Sequence, residues 1–285
     1  MLRRITNTQF GVGLLLLASI AVLLMAGSNY LQRQDKTGIA LQIQLSNEDV
    51  TVYIDNLETS ARFEEDPPRY LLSNLNPGIH RVLLGKSGYY PWQGVTTITA
   101  SSTTVIDAFM IPMKPDYTEI PAVVDDQRLG KVPNPEYVAL VPEWESTLTG
   151  SGKPILKDQN ALTYSENDIT LTWTGKPSLL PRFYCSEDDC ATELPVYHGE
   201  TPVKEAFFYP DRTNVLLFSA GTSVYAIEAS RISSLAEAQA RATGNPNAFA
   251  RNFQPVYTGT DPHLLSPVDN IVTIKDGEKF IQVSL

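Results

Sequence analysis

An all-β ectodomain, a small β-sandwich followed by propeller-blade-like antiparallel repeats, carried behind one N-terminal transmembrane helix, is the fold class this sequence predicts. Three observations lead there. Residues 10–27 read FGVGLLLLASIAVLLMAG, eighteen residues without a charge. Apolar Leu41, Ile43, Leu45, Val50, Val52 and Ile54 alternate with polar or exposed-type neighbours at period two. An octapeptide, P-V-Y-x-G-x-x-P, occurs at Pro195 and again at Pro255. Composition agrees, since 20 Pro, 17 Gly and 13 Tyr in 285 residues favour turns and strands over long helices. With 42% hydrophobic and 19% charged residues the chain is neither disordered, collagenous nor disulfide-dense. Net charge is 22 − 32 = −10, and −12 once Arg3 and Arg4 are set apart. A nucleic-acid binder needs a basic surface to replace phosphate counterions, so nucleic acid is not expected as a partner.

As a helix, residues 10–27 would extend about 27 Å at about 1.5 Å per residue, close to the thickness of a bilayer core. Arg3 and Arg4 precede the run, whereas Arg33 and Lys36 on the other flank are offset by Asp35. The positive-inside bias therefore places a tail of residues 1–9 in the cytoplasm. Tyr30 takes the position of an interfacial aromatic, and residues 28–37 form a polar linker on the outside. The expected localisation is the cell membrane, single-pass, with the lipid bilayer a partner through residues 10–27. A cleaved signal peptide with Ala26 and Ser28 at its small-residue site is the competing reading; the uninterrupted length favours a retained anchor. Both readings export the same domains.

Only two cysteines occur, Cys185 and Cys190, separated by Ser-Glu-Asp-Asp. In an exported chain that spacing closes a short loop as a disulfide. A structural zinc site needs four ligands, and no second histidine follows His198 at ligand spacing. In a reducing compartment the same pair would be two free thiols.

The first exported domain spans residues 38–113. The strands at Leu41 and Val52 are followed by Leu75-Asn76-Pro77-Gly78-Ile79-His80-Arg81-Val82, where Pro77 fixes φ and Gly78 supplies a permissive position for a reversal. Lys86-Ser87-Gly88-Tyr89-Tyr90-Pro91-Trp92 and two more strands come next. His80 is expected as a partly buried side chain with a backbone partner, since no Cys, His or paired carboxylate stands near it. The Tyr89-Tyr90-Pro91-Trp92 group reads as a core plug, with a sugar-stacking platform as the alternative.

Over residues 38–112 the chain resembles the PEGA domain family of envelope β-sandwiches. The resemblance rests on Val52-Tyr53-Ile54-Asp55, on L-x-P-G-x-H-x-V from Leu75, and on G-Y-x-P-W from Gly88. Where the family's Pro-Glu-Gly-Ala would stand, the chain has Asn47-Glu48-Asp49-Val50, and the acidic stretch 62–66 replaces the usual Gly-x-Thr-Pro turn. The resemblance implies an accessory module for attachment or protein contact, with no catalytic residues.

Residues 114–154 read as a connector with one or two strands around 137–142. Residues 155–285 form the repeat domain. The Pro195 and Pro255 octapeptides lie 60 residues apart, and Asn214, Val215, Phe218, Gly221, Val224, Tyr225 and Ile227 answer Asn270, Ile271, Ile274, Gly277, Phe280, Ile281 and Val283 at a shift of 56. A weaker copy aligns Tyr164, Ile169 and Gly175 with Tyr209, Val215 and Gly221. Four strand-like pieces per copy are the mark of a propeller blade. Residues 234–242, SLAEAQARA, read as an inserted short helix. The last copy ends without its fourth strand, and a closed propeller needs at least four blades, so either the connector supplies strands to complete a small propeller or the sheets form an open stack with edges needing protection. This half is similar to the blade-bearing part of certain PEGA-containing membrane proteins, a resemblance that carries no catalytic positions.

Chemistry is sparse. Gly150-Ser151-Gly152-Lys153 lacks the phosphate-loop Gly, with Thr147 in its place, and has Pro154 where Ser or Thr is needed. No G-x-S-x-G, H-E-x-x-H or EF-hand loop occurs. His198 and His263 stand at repeat corners, and His198 aligns with Thr258. Glu187-Asp188-Asp189 reads as a solvated loop, with calcium as the alternative. No carboxylate pair is singled out for glycoside chemistry. The sequence therefore predicts no catalytic, cofactor-binding or metal residues; its only assigned site is the Cys185–Cys190 disulfide. A membrane-anchored surface protein presenting β domains for protein-protein or cell-wall attachment leads, ahead of an envelope hydrolase with an unrecognised site and an extracytoplasmic sensory domain. The sensory reading suffers because about nine residues ahead of the span cannot form an output domain.

Overall fold

The computed structural model describes residues 39–100, 102–149, 153–186, 189–231, 253–268 and 271–284. The expected transmembrane helix at 10–27, its flanks and the short helix at 234–242 lie outside the described residues. Among those described, no helix is long and apolar enough to cross a membrane. The described chain is β-structure apart from one α-helix and two short 3-10 turns, and it divides into two compact units.

The first unit, described over residues 39–83 and Gly94–Phe109, is built on two four-stranded sheets. One has the order β4-β5-β1-β8, from β1 (Ile39–Gln44), β4 (Arg62–Glu65), β5 (Pro68–Ser73) and β8 (Thr104–Asp107). The other has the order β3-β2-β6-β7, from β2 (Thr51–Ile54), β3 (Leu57–Thr59), β6 (Gly78–Gly85) and β7 (Trp92–Ile98), with Leu84 and Gly85 of β6 and Trp92 and Gln93 of β7 falling to the second unit. The period-two reading is realised, with Leu41, Ile43, Val52, Ile54, Val82 and Leu84 buried. Each sheet thus has one apolar face to cover, as in a sandwich. Asp55 and Asn56 take φ of 52° and 68°, so the β2–β3 turn is of the hairpin type that needs two left-handed residues. Gly78 has φ of 139°, which only glycine adopts without strain. The phenol of Tyr70 stitches the turn before β2, accepting from Val50 N–H at 3.0 Å and donating to Asn47 O at 2.9 Å.

The second unit comprises Leu84–Gln93 and Met110–Leu285. It contains β9 (Tyr117–Pro121), the ribbon of β10 (Val123–Asp126) and β11 (Gly130–Pro133), and helix α1 (Pro135–Thr149). Three four-stranded antiparallel sheets follow. The first runs β12-β13-β14-β15, from β12 (Ile155–Lys157), β13 (Asn160–Tyr164), β14 (Asp168–Trp173) and β15 (Glu193–His198). The second runs β16-β17-β18-β19, from β16 (Val203–Phe208), β17 (Val215–Ala220), β18 (Ser223–Glu228) and β19 (Phe253–Thr258). The third runs β20-β21-β22-β9, joining β20 (His263–Leu264), β21 (Ile271–Asp276) and β22 (Lys279–Ser284) to the connector strand. The connector strand β9 thus provides the fourth strand of the last sheet. Val196, Val203, Ala206, Phe208, Leu216 and Phe218 share one core cluster with Leu162, Ile169, Leu171 and Tyr184, so the first two sheets pack together.

Two expectations are corrected. Residues 137–142 are helical, not strand: Asn134 Oδ1 accepts from Glu136 N–H at 3.1 Å, Pro135 opens the first turn, and Glu136 sits at its positive end. Tyr137, Leu140, Val141 and Trp144 then fall at i, i+3, i+4 and i+7 and pack on Ile120, Leu265 and Phe280. The weak copy is also out of step. Ile169 lies in the third strand of its sheet and Val215 in the second of its own, so those positions are not equivalents.

Candidate functional site

The assigned pair is joined: Cys185 and Cys190 form a disulfide, and no described cysteine is free. The loop grows from a 3-10 turn, Arg182–Tyr184, with Cys185 N–H donating to Arg182 O at 2.9 Å. Tyr184 anchors it from within, fully buried with its hydroxyl donating to Asn160 Oδ1 at 2.9 Å. Burial pushes that phenol's pKa well up. Of the three acids, Glu187 and Asp188 lie outside the described residues, and Asp189 pairs with the Arg231 guanidinium. Gly150, Ser151 and Gly152 of the rejected phosphate loop also lie outside them.

The three histidines are dispersed. His80 has the backbone partner expected, with Nε2 at 2.7 Å from Asn76 O, and a carboxylate besides, with Nδ1 at 2.7 Å from Asp55 Oδ2. Burial alone would lower its pKa, but the Asn76 carbonyl and the Asp55 carboxylate together raise it. Asp55 also accepts from Arg81 N–H at 2.9 Å, and that bond and His80 hold its carboxyl below the usual range. Two residues of the family-like motifs are thus used in joining one turn to the next strand. His198 pairs with Asp168 across β14 and β15, both well exposed.

His263 belongs to a concentrated polar cluster at the junction of β16 and β20. Its organiser is Glu205, whose side chain is only 6% exposed. Glu205 Oε1 lies 2.7 Å from His263 Nδ1, while Oε2 accepts from Leu264 N–H at 3.1 Å and from the Ser219 hydroxyl. Asp261 Oδ2 approaches His263 Nε2 at 3.4 Å, and Lys204 Nζ donates to Asp261 Oδ1 at 2.5 Å and to Gly221 O at 3.0 Å. The Trp144 indole of α1 meets the His263 ring edge-on, centroids 4.9 Å apart. The bond to Glu205 raises the His263 pKa against the opposing effect of burial, and Lys204 lowers that of Asp261.

Serine, histidine and a carboxylate together invite comparison with a hydrolytic triad, and the order fails. A nucleophile needs histidine against the hydroxyl and the carboxylate behind it. Here the carboxylate stands in the middle, and Ser219 is fully buried on β17. The arrangement instead satisfies a buried charge from two sheets at once, fastening β20 to β16. Sequence reading missed Glu205. Its signal was present: a charge placed among Val203, Ala206 and Phe208, which are all core residues, must find partners when the strand is buried.

A second carboxylate explains the repeat corners. Asp276 Oδ2 accepts from the Tyr257 hydroxyl at 2.8 Å, and Oδ1 from Asp261 N–H at 2.9 Å. A Cβ on Gly259 would collide with that carboxylate and with the Tyr257 ring, as one on Gly199 would with the Tyr197 phenol. The Y-x-G spacing of the octapeptide is therefore a packing rule, with tyrosine folded over the glycine two residues on. Among the described residues, no group of three or more His, Cys, Asp or Glu is placed to hold a metal ion. No protein-family model matches the chain, and no curated protein matches it either.

Proposed function

We propose that this chain is a membrane-anchored envelope protein, without catalytic activity of its own, that holds a PEGA-like sandwich and propeller-like repeats outside the cytoplasmic membrane for attachment to another envelope protein. The observation that carries the reading is the Cys185–Cys190 disulfide among described residues that are mostly β-structure. Disulfides persist in exported compartments, and an arginine-flanked apolar run at 10–27 is the matching export and anchoring signal. The use of Ser219 and His263 to satisfy one buried carboxylate supports a binding role over hydrolysis. Net charge of −10 makes a protein surface a better partner than an anionic wall polymer.

The test is to incubate purified protein with wall glycan, peptides and ester substrates. No turnover is expected above that of heat-inactivated protein. Product formation abolished by one substitution at Ser219, His263 or Glu205, in a variant that still folds, overturns the non-catalytic reading.

A further inference from the structure

In the first two sheets of the second unit the strands are consecutive in sequence, but the third takes its fourth strand, β9, from ahead of everything else in the unit's sheets. The register runs from Tyr117 opposite Val283 to Pro121 opposite Lys279. The hold is shallow. Ile120 is the only buried residue of β9, sharing a core with Leu265 and Phe280, and Glu119 pairs with Lys279 at 2.6 Å.

The segment that follows β9 is built like a hinge. Strands β10 and β11 pair only with each other, and none of their residues is buried. At the tip, Asp126 Oδ1 accepts from Arg128 N–H and Leu129 N–H at 2.8 and 2.9 Å, while Leu129 is 77% exposed. A two-stranded ribbon without further packing is marginal in water, so opening it forfeits little. Its base is held by Ala122 N–H to Glu278 O and Asn134 N–H to Ala122 O. Extended, residues 122–134 would span roughly 40 Å.

From this topology we propose that the chain forms a strand-exchanged dimer, in which β9 of one copy, with the chain N-terminal to it, completes the β20-β21-β22 sheet of a second copy. The occupant is a second copy of this chain because its β9 reproduces every contact of the first: Ile120 in the same core, Glu119 on Lys279, Tyr117 against Tyr257. The Trp92–Glu228 and Pro91–Gln254 contacts of the chain ahead of β9 pass to the second copy with it, and the ribbon changes from two paired strands to an open crossing segment, the route by which exchanged dimers arise. Both partners use the same surfaces, so the assembly closes at two.

Thr118 and Gln282 stand opposite each other in the β9–β22 register, and the native cysteines are already paired with each other. Full-length Thr118→Cys carrying one tag and Gln282→Cys carrying another are produced in the same cells and resolved without reductant. Thr118→Cys with Ser165→Cys, an exposed position away from β9, is the control for chance encounter. A disulfide joining the two tags in the first combination and absent from the control is the expected result. Val124 faces Val132 across the ribbon, so adding Val124→Cys and Val132→Cys to both chains should lock the ribbon shut and abolish the cross-link. If Thr118→Cys and Gln282→Cys join only when placed in one chain, giving a monomer, exchange does not occur and the proposal is overturned.

Discussion

Glu205 shows how one side chain can set the behaviour of a junction. With Glu205 replaced by alanine, His263, Ser219 and Leu264 N–H lose their shared acceptor, and loss of about 3 kcal/mol is expected in denaturant unfolding. The histidine adds a pH dependence whose sign follows from its raised pKa. Stabilisation by its proton is fully present below the ordinary value of about 6.5 and fades as pH rises through the elevated folded value. The stability difference between the native chain and His263→Asn should therefore shrink from pH 6 toward pH 9; a difference that stays flat or grows contradicts the junction described. Gly259→Ala should cost about 1–3 kcal/mol, because its methyl group must displace Asp276 and Tyr257. The octapeptide was legible as a repeat, but the reason for its glycine was not, since the colliding carboxylate lies on a different strand and sheet.

Helix α1 is the element where pattern and composition pulled apart. Its Pro- and acid-rich composition is that of a connector, whereas an N-cap asparagine, a proline at the first position and apolar residues spaced for one face, from Asn134 to Trp144, are the marks of a helix. Asn134→Ala should remove about 1 kcal/mol of stability, read as a lowered denaturant midpoint with an unchanged slope. The strands of the first unit were read from alternation alone, because each sheet buries one face and the period is two. Strand β9 escaped that reading: with a single buried residue it has almost no alternation to show, and its partner β22 is distant in sequence. The weak copy was misaligned for a related reason, as tyrosine and glycine recur at strand ends in more than one position of a four-stranded unit.

At the scale of the molecule, the β character of the described residues was legible in the alternating pattern, whereas the grouping of Leu84–Gln93 with the second compact unit has no local signal. Trp92 explains why: its buried indole donates to Glu228 Oε2 at 3.0 Å, a partner 136 residues away that no local motif announces. The family-like G-Y-x-P-W run thus finds its hydrogen-bond partner far from the sandwich sequence. Under the proposed function both β units lie outside the cytoplasmic membrane, behind an anchoring segment at 10–27. The most direct measurement is protease treatment of cells with the outer layers opened and the cytoplasmic membrane intact, followed by mass spectrometry of released and retained fragments. Release of peptides from residues 39–284, with residues preceding 28 retained in the membrane, is the predicted result. Protection of the β units until the membrane itself is lysed would contradict it.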